Sequence, residues 1–296
     1  MARKPLLPPR RLRILSPAKV NLFLNVRFKR KDGYHELQTL FERISLADEL
    51  IFTHRPSGIR IETDSKSLPR GPKNIVTRAA QLLRDAFKIK TGVLIRIRKR
   101  IPVAAGLGGG SSNAAATLLG LNRFWKLGLS QKKLLKFASR LGSDVPFFIL
   151  ETSFAVGEGR GEILKKIAYR GPKIWHCIVK PPFAISTKEA YRALSPSSLT
   201  PKKTNARMLL RSFQEGSAPR LSKLLQNSLE AALNKRVTTI LEIKKKLLNQ
   251  RALGSLMSGS GSAVFGIFRT GEEARRAARF LRRENKGWQV FVASTV

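Results

Sequence analysis

The residues Ile101-Pro-Val-Ala-Ala-Gly106-Leu-Gly108-Gly-Gly110-Ser111-Ser112-Asn113 combine a cluster of glycines with a run of capping residues. Glycines let a backbone approach an oxyanion with no Cβ in the way, and a helix N-terminus offers unpaired N–H groups and partial positive charge. The chemistry suggested is the holding of a polyphosphate. The P-loop is excluded, because no lysine follows Gly110. The dinucleotide fingerprint is excluded too, since Ser111 stands where its third glycine belongs and position 131, where its acidic residue would fall, is Gln. A tight turn of small residues remains the plain alternative for an isolated glycine triplet. Two further side chains could act on a proton. Asp144, in Gly142-Ser-Asp-Val-Pro-Phe147, is set among apolar residues as a general base could be, or caps a turn. Lys19, before the apolar Val20-Asn-Leu-Phe-Leu24, either faces a reacting group or snorkels from a strand end.

These residues need elements to position them. Upstream of the glycine loop, Val93-Leu-Ile-Arg-Ile-Arg98 alternates apolar and basic residues over the second half of its length, as a half-buried strand does. Downstream, Ala114, Ala115, Leu118, Leu119, Leu121 and Trp125 suit a buried helix that Ser111, Ser112 and Asn113 open. The pattern predicts strands over 12–28, 40–54, 92–100 and 153–157, and helices over 74–88, 111–126 and 131–141. The chain then divides near residue 168. Beyond it, a strand over Ile174–Val179 leads through the stiff Pro181–Thr187 loop to a short helix over Lys188–Leu194, and Ser195–Lys203 reads as a linker. Helices follow over 204–214, 219–233 and 237–249, then a strand, the Ser258-Gly-Ser-Gly261 turn, a strand over Ala263–Phe268, a helix over Glu272–Arg283 and a last strand over Gln289–Ala293. The fold class is α+β, with domains over 1–168 and 169–296 and residues 1–12 as a basic tail. No repeat of fixed period points to a solenoid.

Four segments in order carry a family resemblance: Ser16-Pro-Ala-Lys19-Val-Asn21-Leu with Asp32-Gly33-Tyr34-His35, the glycine loop, Leu141-Gly-Ser-Asp144-Val-Pro, and Met257-Ser-Gly259-Ser-Gly261-Ser. Together they resemble the GHMP superfamily of small-molecule kinases, over roughly residues 14 to 268. Gly-Leu-Gly-Gly-Gly-Ser-Ser-Asn identifies the superfamily. Pro-Ala-Lys-Val-Asn-Leu with Gly-Tyr-His points to the branch whose acceptor alcohol carries a cytidine diphosphate group, in isoprenoid precursor synthesis. The resemblance implies a two-domain fold with an active-site cleft between the domains, ATP as co-substrate and Mg²⁺ with the ATP phosphates. It implies Lys19 and Asp144 as the catalytic pair around the acceptor hydroxyl. The lysine there favours the charged carboxylate and polarises the alcohol. ATP phosphates would lie on Pro102, Val103, Ala104, Ala105, Gly106, Leu107, Gly108, Gly109, Gly110, Ser111 and Ser112. Asn74, Ile75, Val76, Lys99 and Val103 would surround the adenine, and Ser258, Gly259 and Gly261 would close the site. Tyr34 and Tyr191 are the positions that sandwich cytosine, His35 supplies hydrogen bonds to the base, and Asn21 and Thr187 contact the substrate's polar groups. Read singly, Tyr34 could be packing, Tyr191 a helix-surface residue, His35 a turn residue and Ser258–Gly261 a plain hairpin turn. A GHMP kinase of other specificity, or a basic nucleic-acid-binding protein on the same fold, stay as alternatives.

Composition bounds these readings. With 296 residues and 42% hydrophobic content the chain can bury a substantial core. No apolar run approaches the ~20 residues of a membrane span, so no membrane partner is expected. The basic start of the chain surrounds only Leu6-Leu-Pro-Pro9, too short for a signal sequence, and Cys177 is the single cysteine, so the expected compartment is the cytoplasm. His35, His54 and His176 lack metal-ligand spacing, and no metal site is expected. The net charge of +38, from 57 Lys and Arg against 19 Asp and Glu, is left unexplained by kinase chemistry. A nucleic-acid surface, steering of anionic substrates and a merely solvated basic surface all fit it. With aromatics at 7% and the charge spread along the chain, no specific nucleic-acid partner is expected, only non-specific adhesion of RNA.

Overall fold

The computed structural model describes residues 11–194, 206–215, 220, 223–232 and 236–296. The expected linker over Ser195–Lys203 and most of the basic tail lie outside them. The described chain is α+β, as the sequence pattern predicts, and forms two compact units that interleave in sequence. One takes residues up to Pro17 with Ala47–Ile101 and Gly109–Glu151; the other takes Ala18–Leu46, Pro102–Gly108 and Thr152–Val296. Two long strands, β1 (Arg11–Lys29) and β2 (His35–Arg55), each give residues to both.

In the first unit, the end of β2 pairs antiparallel with β4 (Gly92–Arg98), from Glu49 opposite Arg98 to Arg55 opposite Gly92. β3 (Ile59–Thr63) runs parallel to β4 on its other side. Along β4, Val93, Ile95 and Ile97 are buried while Arg96 and Arg98 are exposed, the expected period of two. α1 (Ile75–Ala86) buries Val76, Ala79, Ala80 and Leu83 and packs on α2 (Gly109–Phe124). α2 is buried nearly all round because its first half is small: Ser112, Asn113 and three alanines lie inside. At Gly120 a Cβ would run into the Phe52 ring, so the helix approaches β2 only with glycine there. α3 (Gln131–Ser139), capped by Ser130, and α4 (Val145–Ile149) complete the unit.

In the second unit, the start of β2 pairs antiparallel with β5 (Phe154–Glu158), and β5 with β6 (Ile163–Ile167). Phe23 and Leu24 of β1 run parallel to the two-residue strand β8 (Gln226–Asn227). A separate antiparallel sheet has the order β11 (Gln289–Ser294), β7 (Trp175–Lys180), β10 (Val264–Phe268), β9 (Gly254–Met257). Its core includes Cys177, Val179, Val264 and Phe268, joined by Ile243 and Leu247 of α7 (Val237–Asn249) and Ala277 and Leu281 of α8 (Gly271–Glu284). Thr270 and Glu273 form a reciprocal capping box at the start of α8. The short helices α5 (Thr187–Arg192) and α6 (Ala206–Glu215) stand near their predicted places.

Four elements differ from the sequence pattern. β3, β6 and α4, of five residues each, are not among the elements the pattern predicts. Within 219–233, where a helix is predicted, the described residues Arg220, Lys223 and Leu224 are helical, whereas Gln226–Asn227 form β8 and Ser228–Ala232 a 3₁₀ turn. Asn227 explains the break: its side chain accepts from Leu229 N at 2.9 Å and donates to the Met257 and Gly259 carbonyls, each at 2.8 Å.

Candidate active site

Within the second unit, β1, the 102–108 loop and the turn after β9 converge on Lys19. Its backbone N–H donates to Leu107 O at 3.0 Å, which fixes the loop against β1. The side chain is 4% exposed, and Nζ donates to Asn21 Oδ1 at 2.5 Å. Asn21 is itself held: Nδ2 donates to Thr39 Oγ1 at 2.7 Å, and Thr39 Oγ1 donates to Phe23 O at 2.7 Å. A buried ammonium costs free energy unless partnered, so an arrangement that keeps Lys19 among oxygens is a built one. The turn reaches the same place. Ser258 Oγ donates to Gly106 O at 3.0 Å and accepts from Asn21 N at 3.4 Å, and Ala263 N donates to Ala105 O at 3.0 Å. At Gly259, with φ +55°, a Cβ would lie 3.1 Å from Asn21 Oδ1 and 3.2 Å from Lys19 Nζ. At Gly106, with φ +75°, it would run into the Ser258 carbonyl. Both glycines are required by close approach of backbone. Pro102, Val103 and Ala104 lie on the loop's accessible side, while Ala105 and Leu107 are buried and anchor it.

The rest of the glycine segment belongs to the first unit. Helix α2 begins at Gly109, two residues before the predicted start, so Gly109, Gly110, Ser111 and Ser112 form its first turn. Ser112 Oγ accepts from Ser16 Oγ at 2.8 Å, and Asn113 Nδ2 donates to Ser16 Oγ at 2.8 Å. The side chain that organises this corner is one the sequence reading did not single out. Asp48, fully buried, accepts from Arg100 N at 2.7 Å, Ile101 N at 2.8 Å, Lys99 Nζ at 2.7 Å and Asn113 Nδ2 at 2.9 Å. It staples the segment entering the loop to the helix leaving it. The only available signal was an acid between the apolar Leu46-Ala47 and Leu50-Ile51. Lys99, expected near the adenine, has its ammonium on Asp48 and the Ile101 carbonyl. Burial pushes that ammonium below the usual lysine range, with Asp48 opposing. Asn74 caps α1, accepting from Val76 N at 2.9 Å and donating to Pro69 O at 2.9 Å. It also lines a cavity of about 700 Å³ with Ile61, Thr63 and Pro69, within the size range of small-molecule sites. Asp144 stands at the N-cap position of α4, partly buried, and its side chain makes no capping hydrogen bond.

The expected cytosine residues all lie in the second unit. In the β1–β2 turn, Asp32 Oδ1 accepts from Tyr34 N at 3.1 Å, and Gly33 has φ +83°. Tyr34 is 54% exposed, and the guanidinium of Arg160 lies 4.7 Å from its ring centroid. Arg160 was missed by sequence reasoning. Its signal is the turn Gly159-Arg-Gly161, whose glycines both have positive φ. Tyr191 makes a ring contact with His35, at 5.3 Å between centroids. Burial, and then the Lys29 cation, hold the His35 imidazole below its ordinary range. Thr187 opens α5 and pairs with Ser260 of the glycine turn, Oγ to Oγ at 3.1 Å.

The family description "GHMP kinases N terminal domain" matches residues 74–152 and "GHMP kinases C terminal" matches 209–287. The chain is 44% identical over 284 residues to 4-diphosphocytidyl-2-C-methyl-D-erythritol kinase of Pelotomaculum thermopropionicum, covering 95% of this chain and 96% of the relative. It is similar to a crystal structure of 4-(cytidine 5′-diphospho)-2C-methyl-D-erythritol kinase, with a TM-score of 0.84 and 38% identity over 96% of this chain and 98% of that one. The homoserine kinase of Cytophaga hutchinsonii, at 20% identity and a TM-score of 0.74 over 97% and 95% of the two chains, shares the fold alone.

Proposed function

The chain belongs to the GHMP kinases, in the family of the 4-diphosphocytidyl-2-C-methyl-D-erythritol kinases, and on that premise we propose that it transfers the γ-phosphoryl group of ATP to the 2-hydroxyl of 4-diphosphocytidyl-2-C-methyl-D-erythritol, releasing the 2-phosphate and ADP. The observation that carries this reading is a likeness running nearly end to end through both halves of the chain. The enzyme is a small-molecule phosphotransferase of isoprenoid precursor synthesis. The division near residue 168 and the cytoplasm as compartment belong to the same reading. Among the described residues no helix is long and apolar enough to cross a membrane.

Phosphoryl transfer needs its charge stabilised, the alcohol held in line and its proton accepted. In this reading Asp144 takes the hydroxyl proton, and Lys19 orients the oxygen and offsets charge on it. Asn21 supports the reading by holding the ammonium fixed. The α2 N-terminus and the 102–108 backbone receive the phosphates, and Mg²⁺, accompanying the nucleotide, would supply charge neutralisation there. The cavity beside Asn74 supports an adenine site in the first unit. Tyr34, His35 and Tyr191, with Thr187 and Asn21, recognise the cytidine-bearing acceptor. The surplus cations collect anionic substrates and, without a dedicated nucleic-acid role, adhere to RNA. Phosphorus NMR of the product tests the proposal: a new phosphomonoester resonance should arise with the acceptor's own diphosphate intact. Phosphorylation of homoserine or mevalonate in its place would assign the chain to another specificity.

A further inference from the structure

We infer that Glu36 is a positioning residue for the nucleobase of the acceptor, a carboxylate that holds the β1–β2 turn to the β5–β6 turn so that the Arg160 guanidinium lies over the Tyr34 ring. The role rests on Tyr34 stacking cytosine, as proposed above. Glu36 is the second residue of β2, and both of its oxygens are engaged. Oε2 accepts from Arg30 Nη1 at 2.8 Å, and Oε1 accepts from Gly159 N at 3.1 Å. Each bond leads to one member of the Tyr34–Arg160 pair. On the first side, Arg30 N donates to Tyr34 O at 2.7 Å and Arg30 Nε donates to Asp32 Oδ2 at 3.1 Å, while Asp32 Oδ1 holds Tyr34 N. On the second, Leu37 N donates to Gly159 O at 2.8 Å, so the backbone of β2 takes the carbonyl of Gly159 and the Glu36 side chain takes its N–H. Arg160 follows directly, between two glycines of positive φ, with its own N and Nε on Glu162 at 2.7 and 3.4 Å.

The β2–β5 ladder explains why a clasp is needed there. Its register runs from Thr39 opposite Gly157 to Glu42 opposite Phe154, so the 159–161 turn lies past its end. The Glu36 side chain is 20% exposed, which spares its bonds part of the screening that weakens open surface pairs. Tyr34, at 54% exposed, is oriented by the few groups that touch it. With a cation on one face of the ring, a base has the opposite face to stack on, and stacking depends on how the ring is set.

Steady-state kinetics of the full chain, with the cytidine substrate and ATP varied in turn, tests the assignment. Glu36→Ala should raise KM for the cytidine substrate by about fivefold, the scale of a cation–π contact, with kcat and KM for ATP within about twofold of the parent. A general loss of structure would move all three. Arg160→Met, which leaves both bonds of Glu36 in place, should give a rise of the same size. In a Tyr34→Ala background Glu36→Ala should add nothing, because the carboxylate acts through the ring. Additive effects, an equal rise in KM for ATP or an unchanged KM in Arg160→Met would overturn the role of Glu36. So would an unchanged KM in Glu36→Ala beside a raised one in Tyr34→Ala. An unchanged KM in Tyr34→Ala would instead remove the stacking of cytosine on Tyr34, and the role of Glu36 with it.

Discussion

Lys19 is the residue whose surroundings say most about its use. An ammonium held by Asn21 in a nearly closed place is in a fixed position, and a fixed charge costs no reorganisation when charge develops beside it. Lys19→Ala should lower kcat by about a hundredfold, the scale of a positioned acid–base partner. A change confined to KM would make it a substrate anchor. Asp144→Asn should abolish turnover and leave ATP binding intact by calorimetry, because in the proposed mechanism the carboxylate serves the proton and not the phosphate cradle. Near-normal turnover would remove Asp144 from the mechanism. Tyr34→Ala should weaken the cytidine substrate by about 1 to 3 kcal/mol, the range for stacking of a base on an aromatic ring, with little change for ATP. His35 adds a pH signature. Burial and Lys29 both disfavour its protonated form, so the neutral ring persists to a lower pH than the ordinary 6.5. KM for the cytidine substrate should stay flat through neutrality and rise only on the acid side of that value.

At the scale of elements, the site depends on turns more than on helices. Gly259 brings the turn after β9 onto Lys19 and Asn21, and Gly259→Ala would place a methyl group 3.2 Å from Nζ at a left-handed φ. The variant should keep its fold and lose turnover, measured by circular dichroism beside an activity assay. Asp48→Ala should instead destabilise the protein by about 3 to 5 kcal/mol in denaturant titration, because it strands the buried Lys99 ammonium and two backbone donors. These two residues show what was legible. The glycine loop, β4 and the helices of strong periodicity could be read because their signals are local: spacing, caps and alternation within one window. Asp48, Arg160 and Asn227 could not, since what each does depends on partners far along the chain, as with Asn227 and Met257 (|i−j| 30) and Asp48 and Arg100 (|i−j| 52). The early start of α2 has a different cause. Gly109 and Gly110 have poor helix propensity, and packing around Ile101 and Lys99 overrides it.

For the whole molecule, 57 cations against 19 carboxylates leave a net charge of +38, whatever the fold. Such a field acts over about a Debye length and falls with salt. If it steers anionic substrates, raising salt should lower kcat/KM through slower capture while kcat stays nearly constant. A nucleic-acid protein would instead bind RNA tightly at physiological salt, at a saturable site with a steep salt slope. Both readings are separated from the central claim by one measurement, coupled ADP release from ATP with 4-diphosphocytidyl-2-C-methyl-D-erythritol as acceptor, run beside 2-C-methyl-D-erythritol 4-phosphate, which lacks the nucleotide. The account predicts sustained ADP release with the first and none above background with the second. No cytidine-dependent release, together with a tight saturable RNA complex, would contradict it.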